Sequence, residues 1–442
     1  MEGCGGRAVG TGGLGEASGH QPRGSAPLRS VPGEAGGALG SRRSSGLGRL
    51  CLILHPSPSG DGSQHPLLLR PGEREDAKKY VTCLLAEDAP PPFMDPVEMC
   101  GRARAFYTSL FSPDLTYPNA CRVLWEELST VSMGDQDQLE LLLTLAEFSE
   151  ALLRLPTNKS LGMDRLTVEF YCVFWDILGP DLVTIWAESL QSGVLPLSCS
   201  RALLTLLPKK GDRRDLRNWH PVSLLSMDYK VVAKAISLWL GTVLADMVHP
   251  DQTYTFLGCS ILDNLYLVQD LLELGCRDGL SFALLSLDQE KAFDRVDHGY
   301  LLSTLRAFGF GSQFVGFLRV LYTSAECLVR LNWTLTEPVS FGRGVWQGCP
   351  LLGQLYALAI KPFLCLIWLV LWEPELQLVL SAYADNVLLV VQEPGDLARV
   401  EACQAIYSAA SSAQVNWVKG SGLVVGEGWQ ASSLPPVLQA IW

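Results

Sequence analysis

Basic charge is the first thing this sequence has too little of. Its 442 residues carry 34 Lys and Arg against 46 Asp and Glu, a formal net charge of −12. Strong unspecific nucleic-acid binding rests on phosphate neutralisation, so this balance excludes a chain that is basic over its whole surface and leaves room only for a local basic groove. Histidine is scarce, with 6 residues, and none of the 13 cysteines stands in a Cys-x-x-Cys pair. That argues against a zinc finger or knuckle and for reduced, mostly buried thiols of an intracellular protein. A secretory leader is missing as well, because Met1 to Gly10 has no basic stretch followed by an apolar one. The expected location is the nucleus or cytoplasm, without secretion. Nor does the chain hold an uninterrupted apolar run of the roughly 20 residues that a membrane helix needs. The nearest, Leu351 to Trp372, is broken by Gln354, Lys361 and Pro362, and reads as a buried helix with no membrane partner. No internal repeat points to a solenoid.

What is there divides by composition. Residues 1–93 are rich in Gly, Ser, Pro and Arg, as in Gly36-Gly37-Ala38-Leu39-Gly40-Ser41-Arg42-Arg43. Such a stretch buries too little apolar surface to offset chain entropy, and disorder is expected. Arg42 and Arg43 offer a contact to nucleic acid, or no more than a solvated linker. Residues 94–200 read as a helical extension. Val97, Cys100, Ala103, Phe106, Tyr107 and Leu110 recur at three- and four-residue steps over 97–111, and further helical patterns run over 139–155 and 168–177. Residues 201–426 mix strands and helices. Ala202 to Leu207 reads as a buried strand followed by a basic turn at Lys209-Lys210, and Phe282 to Leu287 as a second buried strand ending at Asp288. Cys327–Leu331 and Leu335–Phe341 flank Asn332-Trp333 as a hairpin, and Ala382 to Val391 is another, folded at Ala384-Asp385. Residues 427–442 remain as a tail. The fold class expected is α+β.

A carboxylate at a strand end and another at a hairpin tip are the donors that two-metal phosphoryl transfer requires, with ions about 3.5–4 Å apart. Asp288 and Asp385 have those positions, far apart in sequence. Taken singly, each is an ordinary cap or turn residue.

Seven segments in order resemble those of LINE-type non-LTR retrotransposon reverse transcriptases, in wording nearest the vertebrate elements related to the frog Tx transposon. They are Asn158 to Asp164, Leu206 to Asp212, Asn218 to Leu225, Leu287 to His298, Gln347 to Leu351, Tyr383 to Asn386 and Asn416 to Lys419. The resemblance covers about 95–425. It implies the fingers and palm of a right-hand polymerase, Mg²⁺ as cofactor (Mn²⁺ as substitute), and an RNA template with a DNA primer as partners. It further implies Asp288 and Asp385 as metal ligands, assisted by the carbonyl of Gln289. Phe293 matches the gate against a ribose 2′-hydroxyl. Gln347 and Gly348 would line the incoming nucleotide or template base, and Lys419 would sit near the triphosphate. Lys209 and Lys210 would approach phosphates, as would the residue at position 220. No endonuclease domain and no thumb are expected in this chain.

Three of the departures, at 220, 259 and 346, remove positive charge. Asn386 stands where the family has its second aspartate, and an amide brings no negative charge to balance divalent ions. His220 replaces an arginine expected at the triphosphate, Cys259 an arginine expected near nucleic acid, and Trp346 an arginine before Gln347. Leu161, Arg165 and Leu352 depart as well. The expectation is a reverse transcriptase domain whose catalysis is impaired or lost. The alternative is a domesticated, non-catalytic module that binds RNA or protein, or a retroelement remnant without function.

Overall fold

The structure, a computed structural model, describes residues 80–85, 92–255, 258–372, 378–417, 419–426 and 429. The glycine- and serine-rich stretch 1–79, and of the tail 427–428 and 430–442, lie outside them. The expected disorder does not reach residue 93. Val81 and Leu84 are buried, Leu84 bridges Phe93, and the Asn332 amide brackets the Val81 peptide, accepting from its N–H and donating to its carbonyl, both at 2.9 Å. Two buried apolar side chains in six residues give 80–85 a place in the core that composition over a long window averages away.

Helices follow, as the periodicity predicts. α1 (Pro96–Phe111) starts where the Asp95 carboxylate accepts from the N–H groups of Val97 and Glu98, with Pro96 in the first turn where its missing N–H costs nothing. α2 (Pro118–Trp125), α3 (Met133–Leu139) and α4 (Leu145–Leu153) come next. The helical pattern over 139–155 is thus two helices. Glu140 leaves the helical path to accept from the N–H groups of Gln313 and Phe314, and Thr144 opens α4 with a reciprocal capping box to Glu147. The pattern over 168–177 also divides, at Phe174, into α5 (Val168–Val173) and α6 (Trp175–Ser192). α7 (Leu197–Ser200) ends this helical section.

β1 (Arg201–Pro208) and β2 (Trp219–Leu224) lead into α8 (Met227–Met247) and α9 (Ile261–Asp278). β3 (Phe282–Asp288), α10 (His298–Ala307) and α11 (Ser312–Tyr322) follow. Then come β4 (Glu326–Leu331), β5 (Thr334–Leu335), β6 (Val339–Ser340) and α12 (Leu352–Leu371). β7 (Leu380–Tyr383), β8 (Asn386–Val391), α13 (Pro394–Ser411) and β9 (Ser421–Val425) complete the described elements.

Two sheets result. The first runs β2-β1-β4-β5, with β6 also on β4, and joins β1 to β4 in parallel. β1 is buried on one face only: Ala202, Leu204 and Leu206 point inward, while Leu207 is exposed. The expectation of a buried strand is corrected accordingly: its second face, with Leu203 and Thr205, is only half-covered, and Leu207 is exposed. The second sheet runs β7-β8-β3-β9, antiparallel throughout. β3 is covered on both faces. Ala283, Leu285 and Leu287 enter the main core, and Phe282 and Leu284 join Leu271, Val390 and Val425 in a smaller cluster beneath α9. Burial on both sides explains its nearly continuous apolar run, interrupted only by Ser286. α12 is long and apolar enough to cross a membrane, yet 67% of its most apolar stretch is packed inside the protein, with Lys361 and Pro362 buried too.

Candidate active site

The last residue of β3 is Asp288, and its register partner across the sheet is Asn386, the first residue of β8. Tyr383 pairs with Asn386 on the other side, so Ala384 and Asp385 form a two-residue turn. Period-two pairing therefore brings Asp288, Asp385 and Asn386 to one end of the second sheet. Ala384 has a φ of 54°. A left-handed conformation costs a residue with a Cβ roughly 1–2 kcal/mol. A fully buried side chain holds it there: the Ala384 N–H donates to Gln252 Oε1 at 2.9 Å, and Gln252 Nε2 donates to the Ala384 carbonyl at 3.0 Å.

The segment after α13 closes the other side. The Asn416 N–H donates to the Asp288 carbonyl at 2.7 Å, and the Glu290 N–H to that of Gln414 at 2.7 Å. This carries Lys419 to the carboxylate, where its ammonium donates to both Asp288 oxygens at 3.0 and 3.2 Å. Asp385 is half-buried. Burial raises its carboxyl above the usual range, aided by the charge of Asp288, while a backbone hydrogen bond, Lys419 and Lys209 pull it down. Burial, then the charges of Lys209 and Lys291, push His220 below the ordinary imidazole value, so it brings no cation at neutral pH.

Other expected residues lie behind this surface. Gln347 is buried, and its Nε2 donates to Asp294 Oδ1 at 2.6 Å, directed into the protein. Its carbonyl accepts from the Ser223 N–H at 2.8 Å, which ties its loop to β2. Gly348 has a φ of 122°, and a Cβ there would come within 2.8 Å of the Ser223 carbonyl, so only glycine fits. Gln289 is buried with neither amide atom hydrogen-bonded. Phe293 is half-buried, its ring 4.8 Å from that of Tyr356. Trp346 is buried and stacks on Phe341 with centroids 3.5 Å apart, so the expected arginine is replaced by core packing. Lys209, Lys210 and Cys259 are exposed, and none of the three makes a side-chain hydrogen bond or ion pair with Asp288 or Asp385.

Three contributors escape a sequence reading. Gln252 acts on a partner 132 positions away. Lys291, at φ 46°, places its ammonium 4.8 Å from the centre of the Phe106 ring on α1. Asp294 is buried, and burial lifts its carboxyl to about 6 against the opposing charge of Lys291 and the Gln347 hydrogen bond. Only for Lys291 and Asp294 was there a signal, their place in the Leu287 to His298 segment.

As a donor set, two half-buried carboxylates suit one hard divalent cation with water or phosphate completing its shell. A second ion would have the neutral Asn386 amide where a charge is needed. Among the described residues, no group of three or more His, Cys, Asp and Glu side chains is placed to hold a metal.

Residues 207–425 match the reverse transcriptase (RNA-dependent DNA polymerase) family. The Transposon TX1 uncharacterized 149 kDa protein of Xenopus laevis is 56% identical over 374 residues, which is 84% of this chain and 28% of that protein. This chain carries a non-LTR retrotransposon reverse transcriptase domain. The Pol polyprotein of a type-1 R2 retrotransposable element of Popillia japonica is 24% identical over 178 residues, 40% of this chain and 25% of that protein. The reverse transcriptase chain thus spans 28% and 25% of the lengths of these two relatives. Apo telomerase of Candida tropicalis truncated from its C-terminal domain superposes with a TM-score of 0.39 at 15% identity, over 62% of this chain and 60% of that one.

Proposed function

We propose that this reverse transcriptase domain derives from an RNA-directed DNA polymerase and now synthesises DNA poorly or not at all. The observation that carries the reading is the pairing of Asp288 with Asn386, a neutral amide in register opposite the strand-end carboxylate. Asp288 and Asp385 would hold one Mg²⁺ or Mn²⁺, which when bound would draw in and polarise the phosphates of a nucleoside triphosphate. The lysine at 419 neutralises part of the negative charge, and His220 supplies no positive charge toward the phosphates. RNA template and DNA primer are its partners by descent. Loss of one stabilising group from such a site commonly costs about 10²–10³ in rate. The test is primer extension on an RNA template with Mg²⁺ or Mn²⁺. Background incorporation, equal to that of Asp288→Ala, is expected. Robust incorporation that Asp288→Ala abolishes would overturn the reading.

A second reading, RNA binding without turnover, has one observation in its favour. A cavity of about 550 Å³ beside Gly348 is lined by four cations, Arg154, Lys159, Lys230 and Lys234, against one carboxylate, Glu169. Salt-dependent retention of single-stranded RNA, lost on neutralising these four side chains, is the expected result. No retention at low salt would remove this reading.

A further inference from the structure

We infer that Gln252 is a positioning residue for Asp385, through a clamp on the peptide unit that precedes it. The Ala384 carbonyl belongs to the peptide plane that joins Ala384 to Asp385, so a hydrogen bond to that oxygen fixes the rotation of the plane on which the Asp385 Cα sits. Gln252 supplies this bond at 3.0 Å, and its own carbonyl oxygen takes the Ala384 N–H at 2.9 Å. Both polar atoms of the strained turn residue are thus held by one side chain. The clamp is itself anchored. Gln252 is fully buried, its backbone bridges Ala382 in parallel, and the Ala382 N–H donates to the Asp251 carbonyl at 2.8 Å. The edge of β7 is covered by this segment, and Asn264 adds bonds to Ser381 Oγ at 2.7 Å and to the Ala382 carbonyl at 3.2 Å. A side chain of another type at 252 could fill the space, but the terminal amide sets a donor and an acceptor side by side, matched to the carbonyl and N–H of one residue.

The inference rests on the reading of Asp288 and Asp385 as the carboxylates that hold a divalent ion. The experiment is a Mn²⁺ titration of the full chain followed by electron paramagnetic resonance, with circular dichroism to verify folding. Asp385→Asn reports whether Mn²⁺ binds at this site at all. Gln252→Leu removes the clamp, and Gln252→Met removes it with a side chain of the same length and no charge. Ala384→Gly, added to Gln252→Leu, relieves the left-handed strain that the clamp opposes. Gln252→Leu is expected to weaken Mn²⁺ binding about tenfold, the effect of losing one or two hydrogen bonds from a fixed geometry. Gln252→Met should match it, and Ala384→Gly should restore most of the loss, which a merely structural role for Gln252 would not produce. Should Asp385→Asn bind Mn²⁺ as the wild type does, the metal reading fails and the inference with it. Should Asp385→Asn weaken binding while Gln252→Leu or, if that variant does not fold, Gln252→Met leaves it unchanged, the clamp alone is overturned. Absence of any rescue by Ala384→Gly overturns it as well.

Discussion

At the scale of single residues, the proposed impairment is one of charge more than of shape. Asn386 has its place in the sheet register, and an aspartate is nearly isosteric with it, so Asn386→Asp restores a carboxylate without moving the backbone. Primer extension on an RNA template is expected to rise by about two orders of magnitude, in line with one regained stabilising group. His220→Arg should raise it further in the double variant, because position 220 carries no charge at neutral pH while lysines at 209 and 291 act on it. Incorporation by the double variant no higher than that of the wild type would place the defect outside these two positions. Gly348 is a third point of this kind. Its φ of 122° and the nearby Ser223 carbonyl forbid a side chain, so Gly348→Ala should destabilise the fold by about 2 kcal/mol or more, read by chemical denaturation.

At the scale of elements, the helices of the N-terminal section share one apolar core with the sheet section, and a few polar contacts fix how they meet. Glu140, in the break after α3, accepts from the N–H groups of Gln313 and Phe314 at 2.9–3.1 Å and so caps α11 from another part of the chain. Glu140→Ala should cost about 1–2 kcal/mol, the worth of a lost cap with a favourable helix dipole, measured by urea denaturation. A change under 0.3 kcal/mol would show that water replaces the carboxylate without cost. Trp346 serves the core in a different way, by stacking on Phe341. Trp346→Ala should cost about 3–5 kcal/mol, as for other large buried aromatics.

At the scale of the whole molecule, several groups titrate against burial and in opposite senses. The Asp294 carboxyl is raised to about 6 by burial, faced by Lys291, Lys209, Gln347 and Tyr107. Its protonated form is favoured in the native state, so its contribution to stability is complete below about 4 and is lost as pH rises through about 6. His249 runs the other way. Burial lowers it to about 4, and the stability it contributes at neutral pH is lost as pH falls from about 6.5 toward 4. The net curve mixes both, and Asp294→Asn isolates one of them. The variant should be more stable than the wild type at pH 7 by roughly 3 kcal/mol, about two units at 1.36 kcal/mol each, with the difference fading by pH 4. Denaturation midpoints at pH 4, 5.5 and 7 check this, and an equal difference at all three would exclude Asp294 as the titrating group.

The helix over 97–111, the buried strand ending at Asp288, the hairpin at Ala384-Asp385 and the ordered motifs of the family were all legible in the sequence. Each is set by local periodicity or by a short word of residue types, which survive without knowledge of the fold. The sequence likewise shows neutral side chains at Asn386, His220 and Cys259, where the family resemblance leads one to expect charge. Tertiary structure alone decided the contacts between distant segments. The break at 140–144 depends on a helix end at Gln313, the burial of Val81 and Leu84 on a hairpin at Asn332, and the inward turn of Gln347 on Asp294. Gln252 depends on a turn 132 positions away. A hydrogen-bonding side chain has no period and no preferred sequence distance, so only the folded backbone could say that this glutamine holds the turn bearing Asp385.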